Sequence, residues 1–123
     1  HLGMNPPARL RLTRAMRLRH RADFARLKQQ GHRLAKGCLV LNWQELPPGS
    51  SSRFAVITTR KLGKAVIRNR CRRLVRECVR LHQHVLRVPV DMVLIARASI
   101  VGQSFTTVER DYLRLLREAA LVD

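Results

Sequence analysis

Residues 60–77, RKLGKAVIRNRCRRLVRE, constrain the fold more than any other stretch of the chain. Eight of them are cationic (Arg60, Lys61, Lys64, Arg68, Arg70, Arg72, Arg73 and Arg76), and only Glu77 is acidic. From about Lys64 to Leu86 apolar residues recur at helical spacing, with Gly63 before the segment and Pro89 beyond it. At about 100° per residue, Ile67, Cys71, Leu74, Cys78, Leu81 and Val85 form one stripe. Asn69, Arg72, Arg73, Arg76 and Arg80 fall on the opposite side, and Arg68 and Arg70 flank the stripe. Such a helix packs by its stripe and turns its cations to solvent. A solvated helix face normally mixes charge signs, so that i,i+4 pairs stabilise it. Here the arginines mostly repel one another, and an external polyanion explains the face better than hydration does. Arg60, Lys61 and Lys64 precede the helix N-terminus, where free N–H groups and the helix dipole favour a phosphate. KLGKAV lacks the G-x-x-x-x-G-K-[ST] pattern of a nucleotide-binding P-loop.

The whole chain repeats this imbalance. Lysine and arginine number 25 against 8 acids, a net charge of +17, which costs stability through self-repulsion that a polyanion would relieve. Nucleic acid is the first partner implied, with RNA preferred to DNA, and an anionic membrane the second. Most cations are arginine, whose planar fork suits phosphates. Apolar residues make up 46% of the 123 residues, too many for a disordered polycation and enough for one domain with a real core. No apolar run reaches the length of a membrane-spanning helix, and none resembles a signal peptide. Cys38, Cys71 and Cys78 contain no C-x-x-C and read as reduced core residues, which fits a cytoplasmic location. Residues 1–15, with Pro6-Pro7 and scattered arginines, are expected to be a loose basic arm whose first three residues are a tag remnant. Residues 16–123 are expected to be a single domain.

The remaining segments supply the other layers. ADFARLKQQG (22–31) reads as a short helix stopped by Gly31. HRLAKGCLVLNWQE (32–45) reads as extended, and Gly37 bends it or splits it into two strands. LPPGSSS (46–52) is a loop, and β-branched RFAVITT (53–59) a strand. VDMVLIAR (90–97) is a mostly apolar strand, central in a sheet. Ser104 or Thr106 caps a last helix, Thr106 and Glu109 matching a capping box, with Val108, Tyr112, Leu115, Leu116 and Ala119 as its packing face. The order α-β-β(-β)-α-β-α predicts an α/β (α+β) two-layer sandwich, one sheet covered mainly on one face by helices.

KLGKAVIRNRCRRLVRE resembles the signature of the bacterial ribonuclease P protein family, an R-N-R core followed by basic residues on a helix. Arg68, Asn69 and Arg70 match the core, and Arg72, Arg73 and Arg76 continue it. RHRADFARLKQQG is similar to the family's first helix, GCLVLNW to its first long strand and DMVLIAR to its late strand, so the resemblance spans residues 16 to 120. It implies a non-catalytic subunit that joins a catalytic RNA, the ribonuclease P RNA. That RNA removes the 5′ leader from precursor tRNA by Mg2+-dependent hydrolysis, with the metal bound mainly by RNA and substrate. It also implies a left-handed β-α-β crossover, where sequence alone favours the right-handed form. RNA contacts are then expected at Arg60, Lys61, Lys64, Arg68, Asn69, Arg70, Arg72, Arg73 and Arg76. A separate cleft for the single-stranded leader is expected to include Phe24, Leu27, Lys28, Leu39, Leu41 and Asn42. Positions 28 and 42, often aromatic in the family, are Lys and Asn here, so leader binding should lean more on Lys28 and other charges, or on Trp43 if the strand register differs. Trp43, the strand neighbour of a cleft residue, should point to the other face and into the core.

Protein-based nuclease chemistry needs convergent carboxylates. Of the eight acids only Glu109 and Asp111 lie close in sequence, and i,i+2 on a helix points them apart. The same spacing separates His82 and His84, so no metal site is expected. No catalytic residue is assigned. Two alternatives stand beside the subunit reading: a structural RNA-binding protein of ribosomal type, and an autonomous nuclease.

Overall fold

A computed structural model describes residues 11–123. Helix α1 (Arg21–Gln30) is followed by strands β1 (His32–Lys36), β2 (Leu39–Glu45) and β3 (Arg53–Ile57). Helix α2 (Ala65–His82), strand β4 (Val90–Ala96) and helix α3 (Phe105–Glu118) complete the chain. The sheet order is β1-β2-β4-β3. β1 and β2 form a hairpin, β4 runs antiparallel to β2, and β3 pairs with β4 in parallel. The β3-α2-β4 crossover unit implied by the resemblance is therefore present. Gly37 splits the first extended segment, the second of the two readings left open, and φ 55 at that position is a left-handed turn that glycine adopts without steric cost.

The two faces of the sheet differ in kind. One face carries Leu39, Leu41, Trp43, Phe54, Met92 and Leu94, packed under Cys71, Val75, Cys78 and Val79 of α2 and Val108, Tyr112, Leu115 and Leu116 of α3. This is the main core. The other face carries a smaller cluster, Leu27 of α1 with Leu18 and Val93, edged by Phe24, Ala55, Ile57 and Ile95. Helices therefore cover mainly one face, as expected. All three cysteines are free and buried. Burial pushes the Cys38 and Cys78 thiols up to about 12, so both stay protonated packing groups.

Four sequence expectations need correction. Residues 11–15 are tied down: Arg11 O accepts from Gln83 Nε2 at 3.4 Å, Leu12 packs against the main core, and Arg14–Met16 form a 3₁₀ turn. Residues 1–10, the rest of that expected arm, lie outside the described residues. Helix α2 ends at His82, and a 3₁₀ turn carries the chain through Val85, which is 38% exposed rather than part of the stripe. Of the predicted stripe, Cys71 and Cys78 are buried and Ile67 and Leu74 pack at its margin, but the fully packed line also takes in Val75 and Val79, which the prediction omitted. Finally, the Thr106–Glu109 capping box does not form, since Glu109 binds His82 Nε2 at 2.8 Å; Ser104, the first of the two caps left open, starts α3, its Oγ accepting from Thr107 N–H at 3.3 Å.

Candidate nucleic-acid interface

The alternating pleat sorts the α1 face of the sheet into three rows. Val40, Ile95 and Ile57 are register partners in the first. Asn42, Val93 and Ala55 form the second, and Gln44, Asp91 and Arg53 the third. Helix α1 rests on the middle row through Leu27, which is fully buried. Its last turn comes close to β2: Asn42 Nδ2 donates to Leu27 O at 3.1 Å, and a Cβ on Gly31 would stand 2.7 Å from Trp43 O. The first row remains beside the helix as an apolar floor, with half-buried Phe24 packed against its cluster and exposed Lys28 one turn further along.

Burial sorts the residues that the resemblance assigns to a leader cleft. Phe24 is half-buried at the edge of the small cluster and Lys28 is exposed. Leu27, 0% exposed, is closed to any ligand. Asn42 reaches the α1 face, but its amide is held by Leu27 O and by His32 O at 2.8 Å. Leu39 and Leu41 lie in the main core on the opposite face, both 0% exposed, because strand neighbours of Asn42 must point away from it. The α1 face of the sheet instead carries Val40, 7% exposed, with half-buried Ile57 and Ile95; alternation from Asn42 could have found Val40. Trp43 is 6% exposed in the main core, as expected.

Strand β3 ends at the floor and leads directly into the basic segment. Arg60 and Lys61 sit in a 3₁₀ turn and Lys64 is the residue before α2; all three are exposed. Asn69, Arg70 and Arg73 are exposed on α2, and Arg68 is half-buried with an Nε that has no hydrogen-bond partner. Arg72 and Arg76 do not join the outward side. They lean toward β3, where Arg72 Nη2 donates to Thr58 Oγ1 at 2.7 Å and the Arg76 guanidinium lies 5.9 Å from the Phe54 ring centre. A 240 Å³ groove there is also lined by Arg17 and Arg19, two cations that sequence reasoning missed. Burial, then the positive charges of Arg17 and Arg72, hold the Arg76 pKa below the usual arginine value. Among the described residues no carboxylate pairs with any of the eight cations of residues 60–76.

Acids are engaged elsewhere. Asp23 and Asp91 pair with Arg26 and Arg53, Glu77 with Arg80, Glu109 with His82 and Glu118 with Lys36, while Asp111 accepts from Cys38 N–H. Six of the eight acids are thus used internally. Among the described residues no three His, Cys, Asp or Glu side chains come together as a metal site. No helix there is long and apolar enough to cross a membrane.

The comparisons with known proteins agree on one family. The family model described as Ribonuclease P matches residues 12–120. The ribonuclease P protein component of Syntrophomonas wolfei is 36% identical over 110 residues, covering 89% of this chain and 92% of that protein. That of Chloroflexus aggregans is 40% identical over 114 residues, covering 90% and 82%. Among solved structures, the Thermotoga maritima ribonuclease P protein superposes with a TM-score of 0.73 at 33% identity, covering 83% of this chain and 96% of that one. The Staphylococcus aureus protein gives a TM-score of 0.80 at 25% identity, covering 89% and 100%. With its R-N-R helix and a family match along nearly all of its described length, the chain belongs to the ribonuclease P protein family.

Proposed function

We propose that the chain is the RNA-binding subunit of ribonuclease P, assembling with the ribonuclease P RNA and holding the 5′ leader of precursor tRNA in the cleft beside α1. The observation that carries this reading is the adjacency of two surfaces. Eight cations without a carboxylate partner begin where β3 ends, and the apolar floor of Val40, Ile57 and Ile95 lies at that same end of the sheet. Cations suit a phosphate backbone, and an apolar floor suits unpaired bases. Arg60, Lys61, Lys64, Arg68, Asn69, Arg70 and Arg73 face the RNA subunit, with Arg72 and Arg76 in the groove along β3. Phe24 and Lys28 meet the leader.

In this reading the protein contributes position and charge, and the catalytic RNA performs the hydrolysis. Magnesium does not fit the protein's own side chains, since its acids are largely paired internally; RNA and substrate phosphates are its ligands. The protein works in the cytoplasm, where tRNA is made.

The test is precursor-tRNA cleavage at low magnesium with protein alone, ribonuclease P RNA alone, and both. Cleavage at the mature 5′ end that needs or is strongly raised by the combination is the expected result. Cleavage by protein alone would move catalysis into this chain. Tight RNA binding without any effect on cleavage would favour a ribosomal-type structural role.

A further inference from the structure

The third row of the α1 face centres on one of the two buried charged residues among the described residues, Asp91, and the R-N-R signature does not include it. Asp91 in its centre is 0% exposed. Its carboxylate accepts from Arg53 Nη2 at 2.8 Å and Nε at 3.1 Å, and from Arg26 Nη2 of α1 at 2.7 Å. Arg26 also binds Asp23 at 3.2 Å and the Gln44 side-chain oxygen, and Arg53 reaches both oxygens of Asp23 at 3.4 Å. Two residues of α1 are thus bound to three residues of the sheet.

The position of this cluster on the helix matters. At about 100° per residue, Asp23 and Arg26 fall on one side of Leu27, and Phe24 and Lys28 on the other. Helix α1 therefore sits on Leu27 as on a ridge, gripped along one flank and overhanging the apolar floor along the other. A ten-residue helix is marginal alone, and α1 buries only Leu27 completely. So little apolar contact leaves its roll about Leu27 weakly determined. Buried ion pairs add little net stability but can fix register.

We propose that Asp91 is a positioning residue for leader binding: through Arg26 and Arg53 it fixes the roll of α1, and with it the height of Phe24 and Lys28 over the floor. This role rests on the leader-cleft reading above. It predicts a defect confined to the leader, because α2, which carries the R-N-R cations, packs its apolar stripe on the other face of the sheet.

Holoenzymes reconstituted with Asp91→Asn, Arg26→Gln or Arg26→Lys protein would be compared with wild type. The substrates are a precursor tRNA with a long leader and one with a single-nucleotide leader. Arg26→Gln leaves Asp91 paired with Arg53, so it buries no bare charge and carries the test if Asp91→Asn fails to fold. Asp91→Asn and Arg26→Gln should each lower the preference for the long leader by about tenfold, comparable to one lost stacked base. Arg26→Lys should restore part of it. Affinity for the RNA subunit should stay within about twofold, as for a distant independent site. A preference that survives in Arg26→Gln overturns the positioning role alone. Equal loss of leader preference and RNA-subunit affinity also overturns it, since that marks general unfolding. A wild-type holoenzyme indifferent to leader length overturns the cleft reading itself and this role with it.

Discussion

Gly37 and Asp111 hold the first hairpin against α3. Cys38 N–H donates to Asp111 Oδ2 at 3.0 Å, so the buried carboxylate of α3 fixes the turn, and a Cβ on Gly37 would stand 2.2 Å from that same oxygen. Gly37→Ala also demands φ 55 of an alanine. It should destabilise the protein by about 1–3 kcal/mol, read as a lower urea midpoint with unchanged slope. Asp23 gives a second single-residue prediction. The hydrogen bond from Arg26, reinforced by the charges of Arg53 and Arg26, holds its pKa below the ordinary 3.8 against the opposing effect of burial. A depressed carboxylate contributes stability that is fully present above the unfolded value and is lost as pH falls through the lower folded value. Acid should therefore loosen α1 below about pH 4, and Asp23→Asn should flatten that limb of the stability–pH curve. None of these partners was legible in the sequence. Asp23, Arg26, Arg53 and Asp91 are up to 68 residues apart, and nothing local in a charged residue says which distant charge it will meet. Leu39 and Leu41 failed differently: strand alternation forbids placing them beside Asn42, so the information was present and went unused.

Elements were more legible than contacts. Each helix and strand was anticipated within a few residues because its periodicity and its punctuation by Gly31, Gly37, Gly63 and Pro89 are local signals. The sheet order was not, since the pairing of β2 with β4 and the parallel pairing of β3 with β4 depend on which apolar faces meet. Capping shows the limit of a local motif. Thr106 and Glu109 have the spacing of a capping box, but His82 claims Glu109 and Ser104 starts the helix. Ser104→Ala should cost about 1 kcal/mol in thermal or urea unfolding, whereas Thr106→Ala should be nearly silent. On α2, the half-buried Arg68 with its unpartnered Nε and the exposed Arg70 belong to the same element but not to the same environment. Arg68→Ala and Arg70→Ala should each weaken RNA-subunit binding and lower the salt slope by about one, without shifting the unfolding midpoint enough to account for it. Affinity unchanged at moderate salt would remove both from the interface.

At the scale of the whole molecule, the distribution of its charge decides more than the total of +17. Internal pairing joins Asp23, Glu77, Asp91 and Glu118 to Arg26, Arg53, Arg80 and Lys36, cations that lie outside the R-N-R segment. Among the described residues, eight of the nineteen lysines and arginines without a carboxylate partner lie in residues 60–76, their largest single group, where β3 passes into α2. The fold thus sorts its cations, using some as struts and leaving others for an external anion. A protein that meets RNA mainly through unpaired arginines releases counterions in proportion to the phosphates it contacts. With six or more contacts, affinity for the ribonuclease P RNA should fall by about a thousandfold between 50 and 200 mM monovalent salt. The strut cations should not share that dependence. Arg53 and Arg26 are bound to a fully buried carboxylate, which salt screens poorly, so folding stability should change little over the same range. Titrating RNA binding and urea unfolding in parallel separates the two populations. A steep binding slope with a nearly flat stability profile is the outcome expected of sorted charges. A flat binding slope would remove the electrostatic basis of the interface. Stability that rose sharply with salt would mean instead that self-repulsion among the unpaired arginines, rather than a missing partner, dominates the free protein.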